Sequence, residues 1–143
     1  MKLKDKITLV GGGTGSLGEG LVSIFMKEGA TVIVPCRNKE KALFLKEYTK
    51  ELSGELIIVE GSFDDDQTSL EIKKKVLSIS SKLDLVVASL GGWWEGSKLN
   101  EISFTEWQNL LKTNLNSHFL FAKSFLSHLL EQNSGLYLMI NGE

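Results

Sequence analysis

Three glycines at three-residue spacing, Gly12, Gly15 and Gly18, are the residues of this chain whose pattern points most clearly to chemistry. They follow the apolar stretch 7–10 and precede the amphipathic stretch 21–25. A strand, a glycine-rich turn and a helix start, in that order, form the phosphate-binding turn of dinucleotide-binding folds. Gly12 suits a sharp turn with positive φ, Gly15 leaves room for a diphosphate against the backbone, and Gly18 allows close helix–sheet packing.

The same turn predicts which groups hold the phosphates. The free amides and the positive dipole end of the following helix attract an anion at the helix N-terminus. We therefore expect Thr14, Ser16 and Leu17 to contribute to the nucleotide site together with the glycines. Glycine-rich turns also join strands to helices where nothing binds, so the turn alone leaves that alternative open.

The residue after the second predicted strand bears on which dinucleotide binds. In this fold an acid about 20 residues after the glycine turn accepts hydrogen bonds from the ribose of NAD, whereas a basic residue accommodates the 2′-phosphate of NADP. This chain carries Arg37 there and has no acid until Glu40. An arginine attracts the phosphate and stacks on adenine. The sequence therefore predicts NADP(H) in preference to NAD(H), with a solvated surface arginine as the alternative.

Apolar segments alternate with segments of helical periodicity along the chain, which is typical of βαβ units and a parallel sheet. The predicted strands are Lys6–Gly11, Thr31–Cys36, Glu55–Glu60, Leu83–Ala88 and Gly135–Asn141. The predicted helices are Gly15–Glu28, Lys39–Leu52, Asp66–Ser80 and Thr105–Glu131. Right-handed crossovers favour the strand order 3-2-1-4-5 in a three-layer α/β fold, a Rossmann-like doubly wound parallel sheet in one dinucleotide-binding domain over residues 1–143.

Helical periodicity also predicts which residues each helix buries. For the first helix they are Leu17, Leu21, Ile24 and Phe25, and for the second they are Leu43, Phe44 and Tyr48. For the third helix they are Ile72, Val76 and Ile79. For the long helix they are Trp107, Leu111, Leu115, Phe119, Ala122, Leu126 and Leu129.

Composition argues against several classes of protein. The chain has 143 residues, of which 42% are hydrophobic and 24% charged, as in ordinary globular domains. Its net charge of −2 argues against a nucleic acid or an anionic membrane as partner. Its apolar runs are shorter than the roughly 18 residues that span a bilayer, and we expect no targeting segment. The single cysteine, Cys36, suits a reducing compartment, so we expect a cytoplasmic protein.

Two further segments, 83–91 and 113–119, carry motifs that belong with the glycine turn. The fourth predicted strand and its exit read Leu-Asp-Leu-Val-Val-Ala-Ser-Leu-Gly over 83–91, and the long helix contains Thr-Asn-Leu-Asn-Ser-His-Phe over 113–119. With the glycine turn, they resemble the amino-terminal part of the short-chain dehydrogenase/reductase family. Its members carry G-x-x-G-x-x-G, Asn-Asn-Ala-Gly and Asn-Leu-x-Gly-x-Phe at these places; of Asn-Asn-Ala-Gly only Gly91 remains. The resemblance covers essentially the whole chain but a little over half of a typical member.

The resemblance implies an Asn-Ser-Tyr-Lys catalytic set, in which Asn114 occupies the asparagine position. The serine position falls at Asn141 or Gly142, and the Tyr-x-x-x-Lys pair would lie beyond the last residue. Neither Tyr48 nor Tyr137 is followed by lysine four residues later. A tyrosine without that lysine keeps a pKa near 10 and is a poor proton donor at neutral pH. We expect these residues to bind the cofactor without completing the reaction.

The resemblance also assigns cofactor and substrate contacts. Ser62 and Phe63 lie where family members carry an aspartate and a hydrophobic residue against the adenine, although the aspartate is missing here. Backbone contacts to the cofactor are expected at the exit of the fourth strand, from Ser89, Leu90 and Gly91. Trp93 and Trp94 in the next loop are candidates for an apolar substrate wall or for simple loop packing.

The aspartates at 64–66 and the two histidines, which are residue types that can bind metals, do not predict a metal site here. The three carboxylates at 64–66 precede a predicted helix, so we interpret them as helix capping and as complementing the helix dipole. His118 and His128 are ten residues apart on the long helix without a nearby cysteine or paired acid. We expect both histidines to be surface or interface residues.

Three functions remain open from the sequence. The first is the NAD(P)-binding part of a short-chain dehydrogenase/reductase that moves hydride between NADP(H) and a carbonyl or alcohol. The second is a non-catalytic NADP(H)-binding regulator or redox sensor, and the third is an interaction domain. The apolar fifth strand, 136–140, would be an uncovered sheet edge, so we expect a homo-oligomer. A fragment and a naturally short protein both fit the sequence.

Overall fold

A parallel β-sheet forms the centre of the molecule, which is seen in a computed structural model that describes residues 1–96 and 98–140. Within these ranges the strands are Ile7–Gly11 (β1), Thr31–Cys36 (β2), Glu55–Glu60 (β3), Leu85–Ala88 (β4) and Leu136–Met139 (β5). They lie in the order β3-β2-β1-β4-β5, and every neighbouring pair is parallel. The predicted fold class and strand order are confirmed. Of the fifth predicted strand, Asn141 lies outside the described residues.

Helical segments connect each strand to the next along the chain, as parallel neighbouring strands require. They are Ser16–Lys27 (α1), Lys39–Thr49 (α2), Asp66–Ile79 (α3), Phe104–Leu111 (α4) and Ser117–Gln132 (α5). A π-helical turn, Lys112–Asn116, joins α4 to α5, where the sequence predicts one uninterrupted helix. Such a turn inserts a residue into the helical repeat, so residues after it face a different direction from the one that a continuous helix would give them.

Two hydrophobic layers cover the two faces of the sheet. On one face α1 and α2 pack over β1 and β2, and the fully buried members of this layer are Val10, Val22, Ala30, Val32, Val34 and Leu45. On the other face α3 and α5 contribute Ile72, Val76, Phe121 and Phe125 to a cluster with Leu9, Ile33 and Val86. Because both faces are covered, the central strands are almost continuously apolar.

The predicted buried faces of α1 and α2 are partly wrong. Leu17 and Ile24 are exposed on α1, whereas Gly18, Val22 and Met26 face the sheet. On α2 the predicted Leu43, Phe44 and Tyr48 are all exposed, and the residues that are buried are Ala42, Leu45 and Thr49. Apolar residues occur around more than one side of each helix, and the side with smaller residues, such as Gly18 and Ala42, approaches the sheet.

The predicted stripe of the long helix is also largely wrong. Of its members, only Leu129 is buried; Leu115, Phe119 and Leu126 are exposed. The side of α5 that contacts the sheet instead carries Leu120, Phe121, Ser124, Phe125 and Leu129. The predicted stripe assumes one regular helix, and the π-helical turn breaks that regularity. On α3 the prediction holds for Ile72 and Val76, while Ile79 at its end is exposed.

Candidate functional site

The turn from β1 into α1 requires glycine at two positions for steric reasons. Gly12 has φ +78°, and a Cβ there would lie 2.0 Å from the Ser89 carbonyl oxygen of the neighbouring strand exit. A Cβ on Gly18 would lie 2.1 Å from the carbonyl oxygen of Gly12. Both distances are far below van der Waals contact. These glycines therefore let the turn, the helix and the exit of β4 pack directly against one another.

Gly15 has a different environment from the other two glycines. It is the N-cap residue of α1 and supplies no side chain to cap the helix. A Cβ at Gly15 would meet only the Gly12 carbonyl oxygen, at 3.4 Å, so the space beside it is open. The first-turn amides of a helix have no partner inside the helix, and here no side chain caps them. An uncapped helix start beside an open glycine is a site for an anion.

This turn forms one side of a cleft of about 560 Å³ at the carboxyl edge of the sheet. The predicted site residues that line it are Gly12, Thr14, Gly15, Arg37, Ser62, Phe63, Ser89, Leu90 and Gly91. Three of the predicted nucleotide contacts do not line it: Ser16 and Leu17 are exposed on the first turn of α1, and Gly18 is buried beneath the turn. Phe63 is mainly a core residue, since its ring centroid lies 5.0 Å from that of Phe121.

Three charged residues that the sequence did not predict for the site, Lys41, Asp64 and Lys112, line the same cleft as Arg37. Among the described lining residues, Arg37, Lys41 and Lys112 are cationic and Asp64 is anionic. Asp64 Oδ1 lies 3.2 Å from Lys112 Nζ and 3.7 Å from Arg37 Nη1. The Ser62 hydroxyl donates to Asp64 Oδ2. This hydrogen bond, with help from Lys112 and Arg37, holds the pKa of the Asp64 carboxyl below its usual value, against the effect of burial.

The three consecutive carboxylates have separate roles in the structure. Asp65 caps α3 because its side chain accepts a hydrogen bond from the Thr68 amide at 2.8 Å. The Thr68 hydroxyl in turn accepts from the Asp65 amide, which completes a capping box. Asp66 lies in the first helical turn and pairs with Lys123 at 2.7 Å. The capping interpretation thus fits Asp65 and Asp66. It is wrong for Asp64, whose side chain pairs with Ser62 in the same loop and with Lys112 and Arg37 on other elements.

Asn114 lies in the π-helical turn and holds the loop that follows β4. Its Oδ1 accepts from the Gly92 amide at 2.9 Å, and its Nδ2 donates to the Leu110 carbonyl at 3.3 Å. Asn114 itself lines a second cavity of about 260 Å³, whose other lining residues are Gly92, Trp93, Trp94, Glu106, Asn109, Leu110 and Thr113. Trp93 is 90% exposed and Trp94 38%. Both tryptophans therefore border a cavity that adjoins the predicted catalytic asparagine.

His118 also connects the long helix to the exit of β4. Its Nε2 lies 2.9 Å from the carbonyl oxygen of Leu90, a residue 28 positions earlier. The side chain is half-buried, so His118 lies partly at the surface while it contacts the exit of β4. The contact joins positions that sequence periodicity does not relate to each other.

The two tyrosines of the chain lie away from these cavities. Tyr48 is exposed on α2, and Tyr137 on β5 contacts the aromatic core. Burial raises the pKa of Tyr137 to about 12, and among the described residues its hydroxyl has no hydrogen-bond partner. Neither tyrosine lines either cavity. The two positions aligned with the family serine, Asn141 and Gly142, lie outside the described residues.

Neither a metal cluster nor a membrane-spanning helix occurs in the part of the chain that the structure describes. In residues 1–96 and 98–140, no three His, Cys, Asp or Glu side chains come together in a way that suits a metal ion. Over the same ranges no helix combines the length and the apolar character needed to cross a membrane. Cys36 is a buried free thiol at the end of β2, with its Sγ 3.2 Å from the Asn38 carbonyl.

The geometry of the cleft fits a dinucleotide. An uncapped helix N-terminus and an open glycine suit a diphosphate, and the cationic residues suit further phosphate charge. The cleft lies at the carboxyl edge of β1 and β4, where the strand order reverses and where ligands bind in doubly wound sheets.

Comparisons with known proteins agree with this arrangement. The sequence model of the family described as short chain dehydrogenase matches residues 6–141. An uncharacterized oxidoreductase of Staphylococcus aureus (strain USA300) is 30% identical over 137 residues, which cover 93% of this chain and 56% of that protein. The uncharacterized oxidoreductase YvrD of Bacillus subtilis (strain 168) is 30% identical over 145 residues, which cover 100% of this chain and 53% of that protein.

Solved structures share the fold. A short-chain type dehydrogenase/reductase from Mycobacterium ulcerans superposes with a TM-score of 0.90 at 19% identity, covering 99% of this chain and 53% of that one. A metagenomic short-chain oxidoreductase in complex with NADP superposes with a TM-score of 0.91 at 20% identity, covering 100% and 65%. The chain spans about half the length of the curated relatives that it matches.

Proposed function

Since the chain belongs to the short-chain dehydrogenase family, we propose that its cleft binds NADP(H) and that the whole protein transfers hydride between this nucleotide and a carbonyl or alcohol. The observation that carries the proposal is the turn at Gly12, Gly15 and Gly18. Two of these glycines permit close backbone packing and the third leaves open space at an uncapped helix start. That combination suits a diphosphate.

The charges of the cleft support the choice of NADP(H) over NAD(H). Arg37 follows β2 directly and lines the cleft, and Lys41 on α2 lines it as well. A cation near the adenosine ribose attracts a 2′-phosphate, and arginine can bind a phosphate with two parallel hydrogen bonds. One structural neighbour is a complex with NADP. Thr14, Ser62 and Phe63, with the backbone at 89–91, complete the nucleotide contacts in this proposal. Ser16 and Leu17 would contribute first-turn backbone amides, and Gly18 would act by letting α1 pack against the turn.

The other end of the cleft is proposed to serve the substrate. A bound nicotinamide dinucleotide supplies or accepts the hydride. Asn114 holds the loop after β4 through the Gly92 amide and so positions the border between the two cavities. Trp93 and Trp94 line the second cavity and give it aromatic surface. An apolar carbonyl or alcohol fits such a lining better than a charged one.

Separate titrations with NADPH and NADH test the proposal, with binding followed by tryptophan fluorescence and by calorimetry. We expect both to bind and NADPH to bind more tightly. Arg37→Asp should cost roughly tenfold or more in NADPH affinity, because it replaces an attractive charge by a repulsive one. It should cost much less in NADH affinity, since NADH lacks the 2′-phosphate.

A matched control for Arg37→Asp is Lys39→Asp. Lys39 is 80% exposed and pairs with Glu60 at 3.8 Å, and it lies outside the lining of the cleft. The same charge change there should leave the ratio of the two affinities nearly unchanged. If the wild-type protein binds neither nucleotide at millimolar concentration, the proposed function is wrong. If it binds both equally, the preference for NADP(H) is wrong.

A further inference from the structure

Asp64 is the one carboxylate among the described residues that line the nucleotide cleft. It comes from the loop after β3, whereas its two cationic partners come from the end of β2 and from the π-helical turn. Its Oδ1 is shared between Lys112 Nζ at 3.2 Å and Arg37 Nη1 at 3.7 Å. The Ser62 hydroxyl donates to its other oxygen, Oδ2. Three elements of the fold therefore meet at a single carboxylate.

The two ion pairs of Asp64 differ in strength. The contact to Lys112 is within hydrogen-bonding distance, whereas the contact to Arg37 is too long for a hydrogen bond. The side chain of Arg37 is 73% exposed, compared with 30% for Asp64. Asp64 is thus anchored by Lys112 and Ser62, and Arg37 is held only by a loose attraction that a stronger anion can replace.

A carboxylate at this place has opposite consequences for the two dinucleotides. The 2′-phosphate of NADP would compete with Asp64 for Arg37 and would be repelled by any Asp64 charge that Lys112 does not balance. The free ribose hydroxyls of NAD meet no such competition. An acid next to the ribose is in fact what favours NAD in this fold.

We propose that Asp64 determines how strongly this cleft prefers NADP(H) over NAD(H), because it is an internal counter-ion that competes with the 2′-phosphate for Arg37. Lys112 is the positioning residue, since its closer contact with Asp64 leaves only the longer contact of 3.7 Å between Asp64 and Arg37. The inference rests on the proposed nucleotide function and deepens it. It makes nucleotide selectivity a property of three residues, Arg37, Asp64 and Lys112.

Substitutions of Asp64 and of Lys112 should shift the preference for NADP(H) over NAD(H) in opposite directions. Asp64→Asn keeps the size of the side chain but removes the competing charge, so Arg37 becomes available to the phosphate. Lys112→Met keeps an unbranched side chain of similar length but leaves Asp64 with Arg37 as its remaining cationic partner. In the Asp64→Asn background, Lys112→Met should no longer change selectivity, because there is no carboxylate left to position.

The experiment measures dissociation constants of NADP⁺ and NAD⁺ by calorimetry for the wild type, both single variants and the double variant. Adenosine 2′,5′-bisphosphate and adenosine 5′-monophosphate serve as probes of the adenosine half alone. With partly exposed ion pairs, Asp64→Asn should raise the preference for the 2′-phosphorylated member of each pair about three- to fivefold. Lys112→Met should lower it by a similar factor.

Asp66→Asn is the matched control, since it removes the same charge two residues away. Asp66 pairs with Lys123 and does not line the cleft. It should change the preference by less than about a factor of two. An unchanged preference in Asp64→Asn, or an equal change in Asp66→Asn, overturns the role of Asp64. A Lys112→Met effect that persists in the double variant overturns the role of Lys112. These outcomes are distinct from a failure of the proposed function, in which the wild type binds none of the four compounds.

Discussion

At the scale of single residues, two glycines on the same helix illustrate how context decides what a residue does. Gly18 and Gly20 are both in α1, but a Cβ on Gly18 would lie 2.1 Å from the Gly12 carbonyl oxygen, whereas a Cβ on Gly20 would meet nothing within 4 Å. Gly18 is therefore required by the close approach of α1 to the turn. Gly20 has no steric reason to be glycine.

This contrast predicts opposite effects of the same substitution. Gly18→Ala should lower the free energy of unfolding by about 1–3 kcal/mol, because it forces the turn and the helix apart. It should also weaken nucleotide binding, since the phosphate-binding turn moves. Gly20→Ala should raise the free energy of unfolding by about 0.5–1 kcal/mol through helix propensity. Urea denaturation of both variants checks this, and equal effects would contradict the role assigned to Gly18.

At the scale of elements, the Asp84 carboxylate links the starts of the adjacent strands β1 and β4. Asp84 precedes β4, and its Oδ2 accepts from the Ile7 amide at the start of β1 at 3.0 Å. Its Oδ1 pairs with Lys82 at 2.8 Å and with Lys6 at 3.1 Å. Burial acts to raise the pKa of Asp84, but the hydrogen bonds from Lys82, Ile7 and Lys6 outweigh it and hold the pKa below its usual value.

A lowered pKa means that the folded state binds this proton more weakly than the unfolded state does. Asp84 therefore stabilises the fold above the unfolded pKa of about 3.9, and this contribution is lost as pH falls through the lower folded pKa. Asp84→Asn should reduce the free energy of unfolding at pH 7 by about 1–3 kcal/mol. The gap between wild type and variant should narrow below about pH 4.

Urea titrations across pH 2.5–7 measure this gap, with Asp5→Asn as the control. Asp5 is exposed and has φ 62°, a conformation that asparagine adopts as readily as aspartate. The control should leave the free energy of unfolding nearly unchanged across the range. A gap for Asp84→Asn that is independent of pH would show that its charge is not what stabilises the strands.

At the scale of the whole molecule, a set of exposed apolar side chains lies on α5, on the turn before it and on β5. Leu115 lies in the π-helical turn, Phe119, Leu126 and Leu130 lie on α5, and Leu136, Leu138 and Met139 lie on β5. β5 is the outermost strand of the sheet on its side within the described residues. Exposed apolar surface of this extent and an accessible strand edge both favour association with another chain.

We therefore predict that a protein made of these 143 residues associates with itself through this side of the molecule. Sedimentation at increasing micromolar concentration should show larger species, and Phe119→Lys should shift the distribution toward the monomer. Phe44→Lys is the matched control, because Phe44 is 58% exposed on α2 and Phe119 is 62% exposed on α5. A monomeric wild type at all concentrations, or an equal effect of both variants, would contradict the prediction.

Much of the fold and the central part of the site follow from the sequence alone. Strand order and element boundaries depend on alternating apolar and amphipathic segments and on right-handed crossovers, which are local or general properties. The glycine turn is equally local, since strand, turn and helix start lie within about 20 residues. Arg37 could be assigned to the cleft because it directly follows a predicted strand.

Tertiary structure decided what depends on contacts between distant segments. Which side of α1, α2 and α5 is buried was set by how closely each helix approaches the sheet and by a π-helical turn that sequence periodicity does not signal. The pairing of Asp64 with Arg37 and Lys112 joins three elements, and the contact of His118 with Leu90 spans 28 residues. Such contacts depend on how the crossovers bring separate segments together, so no local pattern in the chain encodes them.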